Sequence, residues 1–139
     1  MLHTLVYVSS ATSLLSTEAL AELLRQSRVK NERLGITGLL LYVDGNFMQA
    51  LEGEEKAVLE LYEQIRRDPR HHNATTIISM PCARRSFSRW SMGFRAADEL
   101  APEERIGVSR FLDEAQHGGA VAPANFASRL LRDFAAGMR

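Results

Sequence analysis

Residues 35–53 constrain this chain more than any other stretch, because two apolar runs, 36–43 and 47–51, are joined by Asp44-Gly45. Asp-Gly suits the positive φ of a tight hairpin turn, so the stretch reads as an antiparallel pair at the centre of a sheet. In its second strand Phe47, Gln49 and Leu51 share one face, and Met48 and Ala50 share the other. The amide of Gln49 therefore projects among apolar neighbours, where a polar side chain needs a hydrogen-bond partner. A glutamine bonded to backbone is the plain structural reading. A partner with a chemical role is the other.

A chain of 139 residues can bury a core as one domain without disulfides. Lys plus Arg equals Asp plus Glu at 17 each, so no overall charge draws it to nucleic acid or to an anionic membrane. The single cysteine, Cys82, excludes an internal disulfide and a thiolate metal cluster. The apolar start, residues 1–8, has no basic leader, and no apolar run approaches the roughly 20 residues that span a bilayer. A cytoplasmic protein is expected.

Along the chain, residues 2–8 are rich in β-branched and aromatic side chains and read as a first strand carrying His3, Leu5 and Tyr7 on one face. Ser16 caps a helix with Leu20, Leu23, Leu24 and Ser27 at helical spacing, and Lys30-Asn31 closes or follows it. After the hairpin, Gly53 opens a helix over residues 54–67 with Val58, Leu61, Tyr62 and Ile65 on one stripe, acids at its start and arginines at its end. Pro69 ends that helix, residues 74–80 form a fourth strand, and the alternation of Trp90, Met92 and Phe94 marks a short fifth one. The order βαββαβ is that of a ferredoxin-like α+β sandwich, with two helices on one face of a mixed sheet. Residues 1–97 form this domain. Residues 98–139 form an extension in the same structural unit, with amphipathic helices around Val108, Phe111, Leu112 and Ala115 and around Phe126, Leu130, Leu131 and Phe134. These helices are expected on the sheet's other face, and no effector enzyme is expected in the chain.

Familiar catalytic signatures are missing: no G-x-G-x-x-G, no G-x-x-x-x-G-K-[ST], no H-E-x-x-H and no nucleophile elbow occurs. His71-His72, without further ligands at suitable spacing, read as part of a solvated loop rather than a metal site, and Arg84-Arg85 likewise as solvated. The fold hosts many functions, among them an acylphosphatase-like hydrolase built on an Arg and an Asn, and a ligand-binding oligomerisation module.

Five separated features then occur in order. They are Tyr7 in the first strand, Asn31 ahead of Gly35-Ile36-Thr37-Gly38-Leu39-Leu40, and Gln49 within Phe47-Met48-Gln49-Ala50-Leu51-Glu52-Gly53; Asp68-Pro69-Arg70-His71 and Trp90-Ser91-Met92 follow. Together, over residues 2–100, they resemble BLUF domains, sensors of blue light using flavin. The resemblance implies a photoreceptor, not an enzyme, that holds a flavin non-covalently between its two helices; FAD is the usual form, with FMN or riboflavin as alternatives. It implies that Tyr7 gives an electron and a proton to the photoexcited flavin, and that Gln49 is the hydrogen-bond switch between Tyr7 and the ring. Asn31 resembles the asparagine on the ring's polar edge, and Asp68, Arg70 and His71 match positions at the ring edge or tail. Ile36, Leu40 and Ile65 are candidates for apolar contacts to the ring. Lys30 stands where some relatives carry Asn or His, so it departs from the pattern. Trp90 and Met92 share strand parity and are the candidate relay to the C-terminal helices. A separate protein partner, and possible homo-oligomers, would receive the signal.

Overall fold

The computed structural model describes residues 1–13, 15–43, 45–85 and 93–96, with Val43 and residues 93–96 as backbone only. Asp44 of the turn, Trp90, Met92 and the expected C-terminal helices lie outside the described residues. The elements are β1 (Leu2–Ala11), α1 (Thr17–Leu34), β2 (Thr37–Val43), β3 (Asn46–Glu54), α2 (Glu55–Arg67), β4 (His71–Pro81) and β5 (Gly93–Ala96). This is the expected ferredoxin-like order. The strands form one sheet in the order β4-β1-β3-β2-β5, antiparallel except for the parallel pairing of β2 with β5.

The side-chain parity of the hairpin decides how the layers stack. Leu5, Tyr7, Leu40, Phe47 and Leu51 face the helices and pack with Leu23 and Leu24 of α1 and Val58, Leu61 and Tyr62 of α2. On the opposite face Val6, Val8, Leu39, Leu41, Met48 and Ala50 are also buried. Burial on both faces explains why these strands read as nearly continuous apolar runs.

Ser16 caps α1 as expected, its hydroxyl accepting from the Ala19 amide at 3.1 Å. The helix does not end at Lys30-Asn31. It continues to Leu34 and stops at Gly35, which adopts φ 70°, a left-handed cap that glycine enters without a Cβ clash. The exit is tight: a Cβ on Gly53 of β3 would lie 3.1 Å from the Gly35 carbonyl oxygen and 3.2 Å from Ile36 Cγ1. At the second helix the strand outlasts the sequence reading, since β3 runs through Glu54 and α2 begins at Glu55.

Two further expectations are corrected. The His71-His72 segment is not a solvated loop, because β4 begins at His71 and pairs it with Ala11. Asn73 there takes φ 55°, which asparagine tolerates, and the β1–β4 register shifts between Val6 and Tyr7 and between Val8 and Ser10. Nor is Arg85 free in solvent; it is half-buried. Its guanidinium donates to Thr37 Oγ1 at 2.9 Å, the Glu52 carbonyl at 3.1 Å and the Gly35 carbonyl at 2.8 Å, fastening the segment after β4 to the start of the hairpin.

Candidate functional site

Between α1 and α2, above the middle of the sheet, lies a cleft of about 690 Å³ including its open mouth. Its α1 wall is Leu23, Gln26, Ser27, Lys30 and Asn31, spaced as one helical stripe, and its α2 wall is Leu61, Gln64 and Ile65. Leu40, Phe47 and Gln49 of the sheet form its base, and Asp68, Arg70 and His71 close one end. Lys30, Asn31, Leu40, Gln49, Ile65, Asp68, Arg70 and His71 are therefore brought together. Ile36 is not among the lining residues; it belongs to the adjoining core.

The base holds a buried polar pair. Tyr7 and Gln49 are opposite each other in the β1–β3 register, and the Tyr7 hydroxyl donates to Gln49 Oε1. Tyr7 is fully enclosed, its ring 5.1 Å from that of Tyr62 and 6.2 Å from that of His71. Burial, with smaller contributions from Tyr62 and Asp68, pushes the phenol well above its ordinary range, so the phenolate is disfavoured and the proton stays on oxygen.

At the closed end Arg70 grips Asp68. Arg70 Nη2 lies 2.6 Å from Asp68 Oδ2, Nε 3.1 Å from Oδ1, and the Arg70 backbone amide donates to Oδ1 at 2.9 Å. The pairing holds the Asp68 carboxyl below the usual carboxylate range. His71 stacks on Phe47 with centroids 4.8 Å apart and shares a 2.8 Å hydrogen bond between Nδ1 and Ser9 Oγ. Burial lowers its pKa despite the nearby Asp68 carboxylate, which favours the neutral ring. Across the mouth, Lys30 Nζ donates to Gln64 Oε1, joining the two helices.

Sequence reasoning missed Gln26, Gln64, Phe47 and Ser9. A signal for the first two was present: amides at inward positions of two amphipathic stripes have no reason to be there unless the stripes border something polar. Phe47 was read as inward but given no role. Ser9 could not be linked to His71 without the pairing of β1 with β4.

Fold and cleft together define an α+β module with a cleft of mixed apolar and amide-bearing walls, a base of Leu40, Phe47 and Gln49, and a charged end. Residues 2–93 match the family model described as BLUF, sensors of blue-light using FAD. The dark-state structure of BlrB, a BLUF protein, superposes with a TM-score of 0.80 at 32% identity, covering 99% of this chain and 97% of that one. The photo-activated state of BlsA gives 0.77 at 27% identity, covering 96% and 94%. The photoactivated adenylate cyclase subunit beta of Euglena longa is 40% identical over 101 residues, which are 72% of this chain and 12% of that protein. This chain belongs to the BLUF family of blue-light sensors. Modules of this family are photoreceptors rather than enzymes, which displaces the hydrolase alternative. No helix among the described residues is long and apolar enough to cross a membrane.

Proposed function

We propose that this chain binds a flavin, FAD, non-covalently in the cleft and reports blue light through the hydrogen bond between Tyr7 and Gln49. The donor set fits such a group: Leu23, Leu40, Leu61 and Ile65 can flank a flat ring, while Asn31 and Gln49 offer amides to a polar edge. When bound, the flavin supplies a chromophore that accepts an electron on excitation. The chain supplies the rest. A phenol whose ionised form is disfavoured by burial loses its proton only together with an electron, so Tyr7 acts as a coupled donor. Gln49 carries an acceptor and a donor on one amide, and exchanging them inverts the hydrogen bonds on both sides without moving the backbone. The observation that carries this reading is the enclosed Tyr7 bonded to Gln49, whose amide lines the cleft between the two helices.

The strand register supports one route outward. Tyr7 pairs with Gln49, Gln49 with Leu40, and Leu40 with Phe94, so one row of the sheet runs from the donor to β5. We propose that the signal leaves along this row through Trp90 or Met92 into residues 98–139, and that a separate protein, or a second copy of the chain, reads it. The Euglena longa relative, named for an adenylate cyclase, shows how such a module can be joined to an output. The test is an absorption spectrum of the purified protein before and after blue light. A bound flavin with a reversible red shift is expected; a colourless protein, or a flavin spectrum that light leaves unchanged, would overturn the reading.

A further inference from the structure

Lys30 stands on the cleft wall, and its surroundings give it a specific chemistry. It is half-buried on the α1 wall, and its ammonium reaches across the mouth to the neutral carbonyl of Gln64. Its neighbours one turn away on the helix, Gln26, Ser27, Arg33 and Leu34, include no acid. The other guanidinium or ammonium among the described lining residues, Arg70, is already committed to Asp68 through its fork. Among the described residues, the mouth therefore carries one ammonium for which no carboxylate lies within ion-pair distance, beside the amides of Gln26 and Gln64 and the hydroxyl of Ser27. An ammonium has three protons, and a single carbonyl accepts one of them. The flavin ring itself carries no anion for it; the ribityl chain's phosphate does.

We infer that Lys30, with the Gln64 amide, forms a phosphate subsite at the mouth of the cleft, so that this chain selects phosphorylated flavins, FMN or FAD, over riboflavin. The inference rests on the reading of the cleft as a flavin site. A charge-assisted contact at a half-buried site favours the phosphorylated ligand by about three- to tenfold, and the preference fades as added salt shortens the Debye length below about 10 Å.

The experiment is titration of the flavin-stripped full chain with riboflavin, FMN and FAD, followed by quenching of flavin fluorescence, at low and high salt. The same titrations are made for Lys30→Gln and Lys30→Arg. FMN and FAD should bind more tightly than riboflavin in the unsubstituted chain. Lys30→Gln should remove that margin and its salt dependence, and Lys30→Arg should restore the margin. FMN bound but FAD not would place the subsite at a terminal phosphate; both bound would place it at the phosphate they share. Equal affinities for all three in the unsubstituted chain, or a margin that survives Lys30→Gln, would overturn the subsite and leave the flavin reading standing. Binding of none of the three would overturn both.

Discussion

A fully enclosed phenol bonded to an amide is chemically idle until something beside it demands an electron, and this makes Tyr7 and Gln49 separable by substitution. Tyr7→Phe keeps the ring packed against Tyr62, so flavin should be retained while the red-shifted state fails to form; a normal light-minus-dark spectrum would remove Tyr7 from the reaction. Gln49→Leu fills a similar volume without a hydrogen bond to rearrange, and should likewise keep flavin and lose the shift. His71 is testable through pH. Its folded pKa lies below the ordinary value near 6.5, so below that value the unfolded chain binds more protons than the folded one. Its contribution is full above about pH 6.5 and is lost as pH falls toward the folded value. Asp68, also lowered, extends the loss into the carboxylate range. Denaturant unfolding at about pH 7.5 and pH 5.5 should therefore show a fall in stability that His71→Gln reduces. Gln49 was legible because strand parity alone places it. His71 was named by resemblance but not by pattern, because it opens β4 just before the left-handed Asn73 and beside a register shift that no periodicity encodes.

Elements end where their neighbours let them, and both misjudged boundaries show it. Lys30-Asn31 resembles a helix stop, since asparagine is a weak helix former. Asn31 is instead buried one turn before the end, facing the cleft, and the stop belongs to Gly35. The arrangement of five strands and two helices could be read from turn signals and apolar spacing. The length of α1 could not, because Gln26, Ser27, Lys30 and Asn31 line a cleft between the helices instead of continuing an apolar stripe. Arg85 is the comparable case after β4: a guanidinium in a basic pair looks solvated, yet two of its acceptors are backbone carbonyls that the hairpin fold leaves within reach. Arg85→Met should destabilise the chain by about 2 kcal/mol in denaturant titration, because three hydrogen bonds from a charged donor are lost together. A change near zero would show that these bonds merely replace water.

For the molecule as a whole, stability and occupancy are linked, since a ligand that binds only the folded chain stabilises it by about 2.7 kcal/mol at a hundredfold excess over Kd. For a chain of this size that is a rise in Tm of about 5–10 °C on adding flavin to the stripped protein, read by differential scanning calorimetry. The strand order carries a separate consequence, for biosynthesis. β1 lies between β3 and β4, so the strand made before both has neither partner until residues 46–54 and then 71–81 have been translated. Once residues 46–54 are clear of the ribosome Tyr7 can pair with Gln49, while the other edge of β1 stays open until residues 71–81 follow. Only when His71 and its strand emerge does that edge close and the end of the cleft form, so the cleft is completed after the Tyr7–Gln49 pair at its floor.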